Sequence, residues 1–292
     1  MINYSFPLYR PPAEANNIII QATYGCSHNH CTFCSMYKTK KYEVRDIADI
    51  FKEIDIFANM HPDANKVFLG DGDALSLSTD YLVKLLEYLK RSFSRLSRVA
   101  VYATAQNVLE KSEEELQLLQ ENGLNLIYYG IETGNDELLK KINKGVTASQ
   151  MIEALNKASK ANIKISATVI LGIGGEEYTS EHIKDTAGII NRTTVNYLST
   201  LQLGLDEDVR DRFHKHFDDF KTLNDYQVLD EQKRFLEQLH TSNKVIFRSN
   251  HASNAFHLAG TLPKDTNRLL QELELALARG EGALVPNRFR GF

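Results

Sequence analysis

All three cysteines of the chain fall in one short segment, where Cys26, Cys31 and Cys34 have the spacing C-x4-C-x2-C. A short loop can point three thiolates inward around a cubane iron–sulfur cluster, and the fourth iron is then open to a small molecule. A structural zinc site instead takes four ligands, and His28 or His30 would supply the fourth. A single nucleophilic cysteine does not explain why three occur together. The cysteines alone therefore indicate a metal site and leave iron–sulfur and zinc open.

The segments that must position this loop alternate between short apolar runs and longer amphipathic stretches. The runs are nearly continuous, as expected for strands that are covered on both faces. They are Ile18–Thr23, Val67–Gly70, Val99–Thr104, Leu126–Gly130, Ile165–Gly172, Tyr197–Leu203 and Val245–Phe247. Between them, apolar residues recur at helical spacing, for example over 47–57 and 82–89. A capping box of Ser112 with Glu115 predicts one helix start.

This alternation predicts parallel strands joined by right-handed crossovers. We predict an α/β fold, a partial (β/α)6 barrel of parallel strands with a small C-terminal extension. Residues 1–205 form the core barrel in this prediction, and residues 206–292 form an extension that closes the barrel mouth. The predicted elements of the extension are three helices and one strand, at 207–221, 228–240, 264–280 and 245–247. In such barrels the chemistry lies at the C-terminal ends of the strands.

Three more segments with glycines and carboxylates follow predicted strands. They are Gly70-Asp71-Gly72-Asp73, Tyr129-Gly130-Ile131-Glu132-Thr133-Gly134 and Ile170-Leu171-Gly172-Ile173-Gly174-Gly175-Glu176. Glycines let the backbone approach a ligand, and carboxylates accept hydrogen bonds from ammonium or hydroxyl groups. Taken singly, these segments are also typical of a plain turn, a helix cap and a phosphate loop. Together with the cysteine loop they resemble the radical S-adenosylmethionine (SAM) superfamily, over residues 18 to about 205.

The resemblance implies a [4Fe–4S] cluster held by Cys26, Cys31 and Cys34, with S-adenosylmethionine on the open iron. The common family spacing is C-x3-C-x2-C, so this loop is one residue longer and indicates a subfamily. Reductive cleavage of S-adenosylmethionine then gives a 5′-deoxyadenosyl radical, which removes a hydrogen from a substrate. The implied electron donor is a flavodoxin- or ferredoxin-type protein. We expect anaerobic chemistry, because an exposed cluster is readily oxidised.

The same resemblance assigns the cofactor contacts. Phe33 packs near the adenine, and Glu132 accepts hydrogen bonds from the ribose hydroxyls. Ile170 and Gly172 also lie near the adenine. The methionine ammonium meets the segment after the second strand, formed by Gly70, Asp71, Gly72 and Asp73.

Polar residues of several types follow the seventh run and form the candidate substrate site. Arg248 can hold a carboxylate or a phosphate, and the amides of Asn250 and Asn254 can match the edge of a heterocycle. His251 titrates near neutral pH and is the candidate catalytic residue for proton transfer. The alternative is an ordinary loop whose Ser and Asn side chains bond the nearby backbone.

Two narrower resemblances bear on the substrate. The segment 129–134 is similar to the oxygen-independent coproporphyrinogen oxidase group. The cysteine loop and the segment Ser249-Asn250-His251-Ala252-Ser253-Asn254 look similar to queuine lyases, which release the base queuine from queuosine or queuosine 5′-phosphate. We therefore expect a lyase in queuosine salvage. The alternatives are a coproporphyrinogen-dehydrogenase-like oxidoreductase and a zinc-stabilised binding protein without redox chemistry.

Composition sets limits on partners and location. The net charge of the 292 residues is −4, so no basic field indicates a large nucleic-acid partner. No stretch approaches ~18 uninterrupted apolar residues, and the first residues have no charged segment before an apolar one. We expect a cytoplasmic enzyme with a small-molecule substrate and no membrane association.

Overall fold

The computed structural model describes residues 2–291, which fold into alternating strands and helices. The strands are β1 Ile18–Gln21, β2 Thr23–Tyr24, β3 Glu43–Val44, β4 Lys66–Gly70, β5 Arg98–Ala103, β6 Leu124–Glu132, β7 Lys164–Leu171, β8 Tyr197–Gln202, β9 Val245–Ser249 and β10 Leu258–Leu262. The helices are α1 Ile47–Met60, α2 Thr79–Ser92, α3 Ala105–Glu110, α4 Glu113–Glu121, α5 Asp136–Lys141, α6 Ala148–Lys160, α7 Gly175–Asn191, α8 Glu207–His214, α9 Asp225–Glu237 and α10 Thr266–Arg279.

The chain divides into two compact units. The first unit comprises the residues up to 29, 36–129 and 153–165. The second unit comprises 30–35, 130–152 and the residues from 166 onward. In the first unit, β1 pairs with β4, β4 with β5 and β5 with β6, all in parallel. In the second unit, β7 pairs with β8 and β8 with β9 in parallel, whereas β9 and β10 are antiparallel.

The parallel strands are buried as their continuous apolar runs predict. Val67, Phe68 and Leu69 of β4 are fully buried, and so are Val99 and Val101 of β5. Since successive side chains of a strand point to opposite faces, consecutive buried residues show that both faces are covered. The C-terminal ends of these strands carry the predicted site residues of the first unit.

Helices α1 and α2 bury the apolar stripes that the sequence predicts. Asp46 caps α1 by accepting a hydrogen bond from the N–H of Ala48 at 2.7 Å. Phe51 of α1 stacks on Tyr88 of α2 with ring centroids 3.9 Å apart. The leucines of α2 are all buried, at Leu82, Leu85, Leu86 and Leu89. In both helices, the side that packs inward is therefore the apolar side that the helical spacing of the sequence predicts.

Two strand predictions are wrong in detail. The first run splits after Gln21, because the next residues form β2, which pairs antiparallel with β3 instead. The predicted all-parallel arrangement also gains an antiparallel strand, because residues 250–257 turn the chain back along β9 to form β10. The predicted strand at 245–247 is confirmed and extends to Ser249.

Two helices of the C-terminal region differ from their predicted bounds. The predicted helix 207–221 ends at His214, and the rings of Phe213, Phe217 and Phe220 then pack together with centroids 4.9 Å apart. Helix α9 begins three residues early, because Asn224 forms a capping box at its start. Within residues 2–291, no helix has both the length and the apolar character needed to cross a bilayer.

Helix α10 covers the outer side of β10. The carbonyl oxygen of Ala259 accepts from Nη2 of Arg268 at 2.9 Å. The N–H of Thr261 donates to Oδ2 of Asp265 at 2.7 Å, and the N–H of Asp265 donates to the carbonyl of Thr261 at 2.7 Å. These backbone groups of β10 are therefore paired without a further strand.

Candidate functional site

The first cysteine follows a turn and meets the end of β4 closely. Gly25 lies between β2 and Cys26 with φ +67°, a left-handed conformation that glycine adopts freely. A Cβ added at Gly72 would lie 2.6 Å from the Cβ of Cys26, so a larger residue would displace the cysteine. The N–H of Gly72 also donates to the carbonyl of Gly25 at 3.0 Å. Gly70 ends β4, so Cys26 packs against the predicted ammonium-binding segment.

Asp71 is a fully buried carboxylate, and one of its oxygens has no hydrogen-bond donor among residues 2–291. Its Oδ2 accepts from Nζ of Lys40 at 2.8 Å, Nε2 of Gln21 at 3.0 Å and the N–H of Gly25 at 3.1 Å. Its Oδ1 is buried and has no hydrogen-bond donor among residues 2–291. Burial raises the pKa of Asp71, although Lys40 opposes this change. Because an unsatisfied buried acceptor costs about 1–3 kcal/mol, Oδ1 suits a donor from a ligand, such as an ammonium.

Both carboxylate oxygens of Asp73 accept hydrogen bonds from other residues of the protein. Its Oδ1 accepts from the N–H of Ser27 at 2.9 Å, and its Oδ2 accepts from the Ser27 hydroxyl. Nδ2 of Asn107 also donates to Oδ2 at 3.4 Å. Asp73 thus fixes the residue that follows Cys26, which gives it a positioning role beside the ammonium contact that the resemblance implies.

Glu132 ends β6 beside a lysine that sequence analysis missed. Its Oε1 accepts from Nζ of Lys144 at 2.9 Å, and only 11% and 14% of the two side chains are exposed. A Cβ at Gly130 would lie 1.9 Å from this oxygen, so the glycine leaves room for the carboxylate. Nζ of Lys144 also lies 6.0 Å from the ring centroid of Phe33. Lys144 therefore joins the residues predicted at the ribose and the adenine.

Lys144 is also a cation near the cysteine loop. Burial works against its charge, but Glu132 and the thiolates of Cys31 and Cys34 outweigh burial and raise the pKa of Lys144. The lysine therefore stays protonated beside two predicted cluster ligands. Its signal in the sequence is weak, since it is one lysine among several in and after α5.

Helix α8 contacts the backbone of the same loop. Nη2 of Arg212 lies 3.4 Å from the carbonyl oxygens of Cys31, Thr32 and Cys34. One guanidinium nitrogen thus faces three carbonyl groups. This contact of the C-terminal region with the cysteine loop has no motif by which sequence analysis could have found it.

The two residues predicted near the adenine lie at the end of β7. Ile170 is half-buried and pairs with Leu201 of β8. Gly172 follows the strand with φ +79°, and its N–H donates to Oε1 of Glu231 on α9 at 2.6 Å. The hydroxyl of Thr179 donates to the other oxygen of Glu231. A buried carboxylate therefore holds this turn.

The predicted substrate residues, of which Arg248 lies in β9 and the others follow it, differ in exposure. Arg248 and Asn250 are exposed, and His251 is half-buried. Nδ1 of His251 accepts from the N–H of Ser253 at 3.2 Å and lies 2.8 Å from the Ser253 hydroxyl. The neutral imidazole therefore carries its proton on Nε2. Burial lowers the pKa of His251, which favours this neutral form near pH 7.

Asn254 is buried, and its side-chain amide is hydrogen-bonded to other residues of the protein at both the nitrogen and the oxygen. Its Nδ2 donates to the carbonyl of Thr200 at 2.9 Å and to Oγ of Ser249 at 2.8 Å. Its Oδ1 accepts from the N–H of Gln202 at 2.8 Å. These bonds tie the ends of β8 and β9 together. Asn254 can hydrogen-bond a substrate only if one of these hydrogen bonds breaks.

We expect Asn254→Leu to lower the free energy of unfolding by about 1–3 kcal/mol, because buried backbone groups lose their partners. Urea denaturation followed by circular dichroism measures this change. Asn250→Leu is the matched control, and with its exposed side chain it should stay within about 0.5 kcal/mol of the parent chain. Equal losses in the two variants would contradict the structural role of Asn254.

The donor set fits an iron–sulfur cluster with S-adenosylmethionine. Each of the three cysteines is half-buried. In the first unit, Oδ1 of Asp71 has no hydrogen-bond donor among residues 2–291, and in the second unit Lys144 is a cation beside Cys31 and Cys34. Among residues 2–291, no three His, Cys, Asp or Glu side chains are grouped so that they could hold one metal ion. A cubane takes one thiolate on each of three separate irons, so its ligands need not meet at one point.

The comparison with known families decides the class. The Radical SAM superfamily profile matches residues 20–189, which is more than half of the chain. The chain belongs to the radical SAM superfamily. The predicted enzyme class, the [4Fe–4S] cluster and S-adenosylmethionine are thereby confirmed. A zinc-stabilised binding protein without redox chemistry has no support.

Curated relatives of this radical SAM enzyme carry several different names. The chain is 29% identical over 124 residues to the heme chaperone HemW of Bacillus subtilis, covering 42% of this chain and 32% of HemW. It is 24% identical over 223 residues to a putative methylthiotransferase of Methanocaldococcus jannaschii, covering 73% of this chain and 45% of the relative. The chain thus spans less than half the length of these relatives, and their activities do not transfer to it directly.

Solved structures show the radical SAM fold. Coproporphyrinogen III oxidase (HemN) from Escherichia coli aligns with TM-score 0.56 and 14% identity, over 94% of this chain and 71% of HemN. Methylornithine synthase (PylB) aligns with TM-score 0.53 and 15% identity, over 76% and 63% of the two chains. At this identity the likeness concerns the fold alone. The predicted α/β class is confirmed, with mostly parallel strand pairs in each of the two units.

Proposed function

We propose that this radical SAM enzyme is a queuine lyase, which releases queuine from queuosine or queuosine 5′-phosphate. The observation that carries the proposal is the polar group at the end of β9 and just after it, where Arg248 and Asn250 are exposed and His251 is half-buried. Amide and imidazole groups match the edge of a flat base at fixed angles, and a guanidinium pairs with phosphate. The C-x4-C-x2-C loop and residues 249–254 support the same assignment through their likeness to that group.

In this proposal Cys26, Cys31 and Cys34 ligate the cluster. When bound, the cluster and S-adenosylmethionine supply a 5′-deoxyadenosyl radical that removes a hydrogen from the substrate ribose. Oδ1 of Asp71 accepts from the methionine ammonium, and Glu132 accepts from the cofactor ribose. The backbone and apolar walls of the site are assigned to Phe33, Gly70, Gly72, Ile170 and Gly172.

The substrate contacts are assigned to groups at the end of β9 and just after it. Arg248 pairs with the 5′-phosphate, and the amide of Asn250 hydrogen-bonds the base edge. Loss of the ribose hydrogen weakens the neighbouring bonds. The bond from the ribose to the base nitrogen would then break with both electrons going to the base, which takes up a proton as queuine leaves. A ribose hydroxyl next to the radical carbon would lose a proton, and one electron from the donor protein with one more proton would close the sugar radical. Nε2–H of His251 donates a hydrogen bond to the departing base nitrogen, which stabilises the charge that develops there.

Anaerobic incubation with queuosine 5′-phosphate, S-adenosylmethionine and a reductant tests this function. We expect free queuine and 5′-deoxyadenosine, measured by liquid chromatography with mass spectrometry. Asn250→Ala and His251→Ala should lower turnover, by about a hundredfold or more for His251 if it acts on the leaving base, with iron content unchanged. No base release alongside intact cofactor cleavage would remove the lyase assignment and leave the enzyme class.

One observation favours a second candidate. The fold similarity to coproporphyrinogen III oxidase extends over 94% of this chain, and residues 129–134 resemble that group. Coproporphyrinogen III is therefore the second substrate for the same assay. Its conversion together with 5′-deoxyadenosine formation would support a coproporphyrinogen-dehydrogenase-like oxidoreductase.

The remaining parts of the proposal concern partners and organisation. The electron donor is a flavodoxin- or ferredoxin-type protein, because the cluster must receive one electron in each cleavage. Residues 206–292 are the extension that closes the barrel mouth. The enzyme works in the cytoplasm on a small molecule, without a large nucleic acid or a membrane.

A further inference from the structure

We propose that Glu231 is a positioning residue for the turn after β7, and that it shapes the adenine side of the S-adenosylmethionine site. It lies on α9, outside the residues 20–189 that match the superfamily. The inference rests on the cofactor-binding function proposed above and extends it to a residue that no motif contains.

The geometry shows what Glu231 holds. Its Oε1 accepts from the N–H of Gly172 at 2.6 Å, and its Oε2 accepts from the hydroxyl of Thr179 on α7. Gly172 has φ +79° just beyond the end of β7, so its N–H needs an acceptor outside the strand ladder. A carboxylate is a stronger acceptor than a neutral oxygen. Glu231 therefore fixes the turn between β7 and α7.

The charge of Glu231 has few partners besides these donors. The side chain is fully buried, and burial raises the pKa of Glu231 to about 7, against the hydrogen bonds from Thr179 and Gly172. Nε2 of His182 on α7 lies 3.9 Å from Oε1, and burial lowers the pKa of His182 to about 4, so this histidine is neutral near pH 7. The other charged groups nearby, Asp230 and Arg234 of α9, pair with each other at 2.8 Å.

His182 also contacts the residue that follows the end of β6. Nδ1 of His182 lies 2.9 Å from Oγ1 of Thr133, the residue that follows Glu132. Thr133 and His182 are both buried. His182 therefore lies between Glu231, at 3.9 Å, and the residue beside the predicted ribose contact, at 2.9 Å.

The positioning role of Glu231 predicts that the affinity for S-adenosylmethionine depends on pH. Ionised Glu231 accepts both hydrogen bonds, whereas protonated Glu231 loses acceptor capacity. S-adenosylmethionine affinity should therefore fall as the pH is lowered through about 7, the pKa of Glu231. His182 stays neutral through this range, because its pKa is about 4.

The experiment compares Glu231→Gln with the parent chain, each with its cluster reconstituted. The dissociation constant of S-adenosylmethionine is measured by anaerobic titration calorimetry between about pH 6 and 8. We expect about tenfold weaker binding at the upper pH and a flat profile in the variant. Faster hydrogen exchange of the Gly172 amide should accompany this loss, with cluster absorbance and iron content unchanged.

Glu237→Gln is the matched control, since it makes the same substitution on the same helix at a side chain that is 43% exposed. This control should leave both the S-adenosylmethionine affinity and its pH profile unchanged. Thr179→Val tests the role without removing the carboxylate, and loss of this donor should move the midpoint of the profile to higher pH. Parent-like affinity and profile in Glu231→Gln, or an unmoved midpoint in Thr179→Val, would overturn the inference. A parent chain that binds no S-adenosylmethionine would instead contradict the cofactor site itself.

Discussion

Replacing Cys34 by alanine is expected to abolish the reductive cleavage of S-adenosylmethionine. In the proposed site each thiolate holds one iron of the cubane, and two thiolates would not keep the cluster in place with a single open iron. Formation of 5′-deoxyadenosine, measured by chromatography after anaerobic incubation with dithionite, should fall to background. Cys26→Ala and Cys31→Ala should show the same loss.

Thr32→Val is the control from the same loop. Its hydroxyl is buried and has no hydrogen-bond partner within residues 2–291, so an apolar replacement of the same shape leaves no group unpaired. This variant should keep its iron content and its cleavage rate. Cleavage at the native rate in Cys34→Ala would show that Cys34 is not a cluster ligand.

Glu132→Gln is expected to weaken S-adenosylmethionine binding by about 1–3 kcal/mol, the cost of losing a buried charged partner. In the proposed site, the cofactor ribose loses a carboxylate acceptor in this variant. The largely buried Lys144 also loses the partner at 2.9 Å that offsets its burial. The dissociation constant of the cluster-loaded protein, measured by equilibrium dialysis, checks this effect.

A double-mutant cycle separates the two roles of Glu132. If the carboxylate acts through Lys144, Glu132→Gln and Lys144→Met should be non-additive by about 0.5–3 kcal/mol. Asp49→Asn is the control for a carboxylate paired with lysine, because Asp49 and Lys52 form an ion pair at 2.8 Å with 61% and 73% of their side chains exposed. An affinity that does not change in Glu132→Gln would remove this residue from the cofactor site.

The sequence predicted those parts of the fold whose signals are local. The capping box of Ser112 and Glu115 is present, with hydrogen bonds of 3.1 and 2.7 Å, because its donors and acceptors lie within four residues. The leucines of α2 are buried because helical spacing alone puts them on one face. The cysteine loop was found in the same way, since its three thiolates are close in sequence.

Residues that act across the chain could not be predicted. Glu231 reaches Gly172 from 59 residues away, and Arg212 reaches Cys31 from 181 residues away, so no spacing rule connects them. The strand β10 was missed because its small central residues Ala259 and Gly260 weaken the strand pattern. Asn254 has a residue type that suits a ligand contact, and only the fold shows that its amide is already bonded.

The side chains that cover the edge of β10 also affect whether copies of this protein associate at high concentration. The open edge of a sheet can accept a strand from another molecule, which is a route to aggregation. Asp265 and Arg268 occupy the outward backbone groups of Thr261 and Ala259. A second chain would have to displace these side chains before it could pair. The edge formed by β10 is therefore protected against intermolecular strand addition.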